Sequence, residues 1–135
     1  MNYLDSLYWI HERSKFGIKP GVKRMEWMLE QFNNPQDKIR GIHVGGTNGK
    51  GSTVAYLRTA LVENGYDVGT FTSPFIESFN ERISLNGTPI TNDEIVDLVE
   101  RVKPVSEALE NETELGGATE FEIITTMMFL YFGEI

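Results

Sequence analysis

The sequence predicts an α/β fold with a P-loop-type, largely parallel sheet flanked by helices, and three observations carry that reading. The run IRGIHVGG at 39–46 is short, partly β-branched and closed by glycines; STVAYLRTALVE at 52–63 has helical spacing; DVGTFTS at 67–73 is a second apolar run. A strand, about a dozen helical residues and a parallel strand make a right-handed βαβ unit.

The remaining elements follow in order. Between Tyr3 and Glu12, Leu4, Leu7, Tyr8 and Ile10 recur at helical spacing until Gly17, Pro20 and Gly21 break the pattern. A second helix is expected through VKRMEWMLEQF, with Val22, Met25, Met28, Leu29 and Phe32 on one face and Asn33-Asn34-Pro35 as its stop. Trp27 sits off that stripe as a candidate docking point. In the helix at 52–63, Val54, Leu57, Leu61 and Val62 form the apolar positions, and Asn64-Gly65 supplies a left-handed terminus. After the polar and aromatic loop SPFIESFNE, the segments RISLNG and TPI predict a hairpin across Asn86-Gly87. Thr91 and Glu94 have the spacing of a capping box, and Ile95, Leu98, Val99 and Val102 continue one helical face up to Pro104, which is expected to kink or end it. Residues 111–118 read as a loop, and TEFEIITTMMFLYF at 119–132 as a mostly buried helix. No strand follows that helix, so the chain is expected to be a portion of a longer protein.

Composition narrows the function. With 135 residues the chain is one domain or less. Apolar residues at 40% and charged residues at 24% match a globular domain and exclude a disordered or collagen-like class. No run approaches the roughly 18 apolar residues of a membrane span, and MNYLDSLYWIHE carries acids where a signal peptide has basic residues. A cytoplasmic location without a membrane partner is expected. Twelve basic against 20 acidic residues give a net charge of −8, which argues against a nucleic-acid partner. The absence of cysteine removes thiolate metal sites and Cys nucleophiles.

The chemistry concentrates in GIHVGGTNGKGST at 41–53. Gly45, Gly46, Gly49 and Gly51 surround Lys50 at a strand-to-helix junction, where backbone N–H groups and the helix dipole converge on an anion. Glycine admits the phosphate where a Cβ would block it. Lys50 can reach β- and γ-phosphates, and Ser52 or Thr53 can offer a hydroxyl to Mg²⁺. The strict P-loop pattern is not met, because Val44 and Gly51 stand where a glycine and a hydroxyl are required. The dinucleotide fingerprint fails as well, since G-x-G-x-x-G placed on Gly49 and Gly51 ends on Val54. His11 and His43 have no partner at metal-ligand spacing and read as structural.

Four motifs in order, GTNGKGS at 46–52, TSPF at 72–75, FNERI at 79–83 and TEFE at 119–122, together resemble the amino-terminal portion of the folylpolyglutamate synthase/dihydrofolate synthase family, a branch of the Mur-ligase superfamily. The resemblance implies that residues 1–135 are the amino-terminal part of a Mur-ligase-like ATP-binding domain. A smaller α/β domain and further metal ligands would lie elsewhere, and these residues alone are expected to be inactive. It also implies an ATP- and Mg²⁺-dependent ligase that joins L-glutamate to folate or dihydropteroate through an acyl phosphate, acting as a monomer on small-molecule substrates.

By the same resemblance, Gly46, Thr47, Asn48, Gly49, Lys50, Gly51, Ser52 and Thr53 form the ATP site, with Lys50 catalytic. Ser52 and Ser73 match metal ligands, although a serine before Pro74 can also cap a turn. Phe75 and Arg82 belong to a loop that helps form the folate site. Phe75, Ile76 and Phe79 can stack on a ring or pack in the core. Arg82 stays open between a substrate carboxylate and a surface pair with Glu81 or Glu77. Thr119, Glu120, Phe121 and Glu122 match a pteroate-contacting segment, and a carboxylate there can accept the paired N–H groups of a pterin; helix-start acids complementing the dipole would have the same spacing. Phe16-Gly17-Ile18 is a further candidate wall. Another Mur-type ligase of cell-wall synthesis, or a non-catalytic nucleotide-binding module, are the alternatives.

Overall fold

The computed structural model describes residues 1–17, 19–45, 49–72 and 77–135. Its elements are α1 (Tyr3–Glu12), α2 (Lys23–Glu30), α3 (Lys50–Glu63), β1 (Gly69–Phe71), β2 (Ile83–Leu85), β3 (Thr88–Pro89), α4 (Asn92–Glu112) and α5 (Glu120–Gly133), with 3₁₀ turns at Arg13–Phe16, Pro35–Lys38 and Phe79–Arg82. They divide into two units, one of Met1–Ile39 with Asp93–Ile135 and one of Arg40–Asn92.

The first unit is helical. The Asn2 side chain accepts from the Asp5 N–H at 2.8 Å and caps α1. Gly17, at φ 66°, ends the 3₁₀ turn after α1. Asn33 and Asn34 take left-handed φ of 63° and 53° beyond α2, and Pro35 starts the next turn. These are residues whose short polar side chains tolerate that region, so the expected stop after α2 is observed. Helix α5 is apolar nearly all round and packs on α1, α2 and the Pro35–Lys38 turn. Ile123, Ile124 and Met127 have no exposed surface, as have Ile10 of α1 and Met28 of α2; each such side chain contributes about 1.5–3 kcal/mol of transfer energy. In α4 the expected stripe Ile95, Leu98, Val99 and Val102 is buried. The helix does not end at Pro104 but runs through it to Glu112. Pro104 and Glu100 are both exposed, so water can satisfy the carbonyl that the missing N–H leaves unpaired.

In the second unit β1 pairs antiparallel with β2, Thr70 opposite Ser84, and β2 pairs antiparallel with β3, Leu85 opposite Thr88. Asn86 and Gly87 both have positive φ, 52° and 85°, which defines the type I′ turn their sequence predicts. The α/β character therefore holds, but the sheet observed is antiparallel. The expected strand at 39–46 forms no ladder over its described residues 39–45. Parallel strands are stable when both faces are covered; here Ile42 is 69% exposed and α3 has no fully buried residue. Ile42, Val44, Val54, Leu57, Leu61 and Val68 line an apolar groove of about 120 Å³. No helix among the described residues is long and apolar enough to cross a membrane.

Candidate functional site

At the start of α3, Gly49 occupies the N-cap with φ 77° and ψ 6°. An L side chain is strained there, which is the physical reason for glycine in this turn. The Thr53 N–H closes the first helical bond to the Gly49 carbonyl at 3.0 Å. The N–H groups ahead of it have no intrahelical acceptor. Among the described residues no side chain caps them, and the first turn contains no acid. Lys50, Gly51, Ser52 and Thr53 are exposed, and a Cβ built on Gly45, Gly49 or Gly51 meets nothing within 4 Å. The turn thus presents N–H groups that no described side chain takes up, an ammonium and two hydroxyls, an arrangement suited to an anion. Hydroxyl oxygens are hard donors of the kind Mg²⁺ accepts when phosphates and water complete its shell. Gly46, Thr47 and Asn48 of the same motif lie outside the described residues, as do Ser73, Phe75 and Ile76.

The FNERI segment is a 3₁₀ turn followed by β2. Glu81 Oε1 accepts from the N–H groups of Glu77 at 3.1 Å and Ser78 at 3.3 Å, closing the turn. Asn80, buried, donates to the Ile90 carbonyl at 2.7 Å and to Asn92 Oδ1 at 2.9 Å, pinning the turn to the far end of the hairpin. Phe79 is 3% exposed, so the core reading of this aromatic is the observed one. Arg82 lies with its guanidinium 5.9 Å from the ring centres of both Phe71 and Phe79.

At the start of α5 the four motif residues divide by role. Thr119 and Glu122 form a reciprocal capping box: Glu122 Oε1 accepts from the Thr119 N–H at 2.9 Å, and Thr119 Oγ1 from the Glu122 N–H at 3.2 Å. Glu122 also pairs with Arg24, whose Nε lies 2.9 and 3.2 Å from its two carboxylate oxygens. Glu120 is bonded to His11 Nδ1 at 2.8 Å. Phe121 stands out into solvent, 58% exposed. Sequence reasoning missed Arg24. A signal existed: Lys23 and Arg24 open α2, where cations oppose the helix dipole, so a carboxylate partner was to be sought elsewhere. It also missed Arg13, which is 7% exposed, stacks over Trp9 and Phe16 at 5.0 and 5.6 Å, and has no hydrogen-bond partner for Nε among the described residues.

Fold and site together define an α/β protein with a glycine-lysine anion turn at a helix start and a capped, aromatic-bearing helix start in its helical unit. No protein-family model matches the chain. Over 132 residues it is 57% identical to a dihydrofolate synthase/folylpolyglutamate synthase of Bacillus subtilis, covering 98% of this chain and 30% of that protein. The folylpolyglutamate synthetase structure from Lactobacillus casei superposes with a TM-score of 0.91 at 37% identity, covering 99% of this chain and 34% of that one. An FPGS–AMPPCP–folate complex matches with a TM-score of 0.87 at 36% identity, covering 99% and 33%. The chain belongs to the dihydrofolate synthase/folylpolyglutamate synthase family, and it spans about 30% of the length of the relatives it matches.

Proposed function

We propose that the intact protein is an ATP-dependent ligase that adds L-glutamate to folate or dihydropteroate through an acyl phosphate. The observation that carries this reading is Lys50 on the uncapped, acid-free first turn of α3, in a chain similar to a protein bound to AMPPCP and folate. AMPPCP has the charge and shape of ATP, and a protein that forms a complex with both AMPPCP and folate holds counterparts of the two reactants of carboxylate activation. Residues 1–135 are the amino-terminal part of the ATP-binding domain in this proposal. The protein works as a monomer in the cytoplasm on small molecules.

In this reading Gly46–Thr53 cradle the triphosphate and Lys50 neutralises charge on its β and γ groups as the γ-phosphoryl passes to the substrate carboxylate. The glutamate amine then attacks the acyl carbon and displaces phosphate. Positioning and charge neutralisation supply most of the catalysis in such a transfer. Ser52 and Ser73 would hold Mg²⁺, which supplies further neutralisation between phosphates. Thr119 and Glu122 brace the start of α5, while Phe121 and Glu120 face the pteroate; Phe75 and Arg82 complete the substrate contacts.

The test is phosphate release by the intact protein, with mass analysis of the product. Release that requires both folate and glutamate, with a product heavier by one glutamyl residue, supports the proposal. Turnover on a UDP-linked peptide precursor in place of folate, or nucleotide binding without turnover, overturns it.

A further inference from the structure

We infer that Arg24 is a positioning residue of the folate site, acting through Glu122; this rests on the reading that the start of α5 faces the pteroate. Both partners are nearly buried, with side-chain exposures of 11% and 7%. The guanidinium does more than neutralise the carboxylate. Its Nε spans both Glu122 oxygens, while Nη2 donates to the carbonyls of Lys19 at 3.2 Å and Pro20 at 3.4 Å. One planar group thereby fixes the loop ahead of α2 to the first turn of α5, two segments about a hundred residues apart in sequence.

A second seam runs alongside. Lys19 Nζ donates to the Gly117 carbonyl at 3.1 Å, and the Phe16 ring lies so close to Gly117 that a Cβ there would overlap it. The residues so braced are Phe16 of the 3₁₀ turn before that loop and Glu120 and Phe121 of α5. Phe121 is a large apolar side chain left more than half exposed beside a fully bonded cap. A buried ion pair is a poor source of net stability compared with apolar packing. Its geometry is better suited to orientation, because a guanidinium fork holds carboxylate and carbonyls in one plane, which a lysine ammonium cannot do.

The experiment uses the intact protein with three variants: Arg24→Lys, Phe121→Ala, and the double variant Arg24→Met with Glu122→Gln. The double variant removes both buried charges while keeping an acceptor for the Thr119 N–H. Expected for Arg24→Lys is a rise in KM for folate of about tenfold, with KM for ATP and kcat at saturating folate within about twofold, since misplacement of a substrate contact acts on that substrate alone. Arg24→Lys is expected to lower the denaturation midpoint, and the double variant to restore the midpoint without restoring the folate KM. Recovery of both, a parallel change in both KM values, or an unchanged folate KM overturns the inference. Phe121→Ala separates it from the reading beneath: an unchanged folate KM in that variant removes the substrate face and the inference together. A raised folate KM there, with Arg24→Lys unaffected, overturns the inference alone.

Discussion

Replacing Gly117 by alanine would place a Cβ 2.3 Å from Cε1 and Cζ of Phe16 and 2.8 Å from its Cδ1. Carbon atoms in contact rest about 3.5–4.0 Å apart, so the ring would have to retreat by more than roughly 1 Å. It is not free to do so at no cost. The cations of Arg13, Lys15 and Lys19 stand 5.6, 5.3 and 5.0 Å from its centre, and the ring's movement weakens all three contacts. Overpacking of this kind costs about 1–3 kcal/mol. Alanine returns about 0.4–1 kcal/mol by restricting the unfolded chain, because Gly117 is not among the positive-φ glycines. The net expectation is a loss of roughly 1–2 kcal/mol. Urea denaturation of the intact protein measures it, and a cycle with Phe16→Ala isolates the cause. With the ring removed, Gly117→Ala should cost nothing, giving a coupling of about 1 kcal/mol or more. Additive effects in the cycle, or a Gly117→Ala protein as stable as the parent, would refute the reasoning.

Lys50→Ala is expected to lower turnover at least tenfold, on the order of one lost preorganised phosphate contact, as read by steady-state phosphate release. Gly49→Ala forces an L residue into the left-handed region at a cost of about 1–2 kcal/mol, to be seen as weaker nucleotide binding by calorimetry. Thr119→Ala removes the N-cap of α5 and should cost about 1 kcal/mol in denaturation. Asn80→Ala leaves the Ile90 carbonyl without its 2.7 Å donor and should cost about 1–3 kcal/mol in the same assay.

The local elements were legible where side-chain chemistry alone decides them. The bounds of α1 match its apolar spacing, Asn33 and Asn34 stop α2, and Asn86-Gly87 turns the hairpin, because each depends on neighbours within a few residues. Helix α3 begins at Lys50, two residues before the expected Ser52, since the left-handed Gly49 can itself serve as N-cap. A parallel pairing is not observed among the described residues, whose three strands pair antiparallel. Apolar content marks 39–45 as fit for a buried strand but not whether a neighbour covers it, and here Ile42 stays exposed. At the candidate site the glycine-lysine turn was readable from composition and context. The division of TEFE into bracing and outward-facing residues was not, because it depends on Arg24, which only the fold brings to Glu122.

The way α5 completes the helical unit also orders events in time. Residues 69–89 close their hairpin among themselves, whereas Ile10 and Met28 are covered through contacts of α1 and α2 with a helix made about a hundred residues later. At synthesis rates of about 5–20 residues per second, that is a delay on the order of 5–20 s. Through it, α1 and α2 carry uncovered apolar faces on the nascent chain, the state that holdase chaperones recognise.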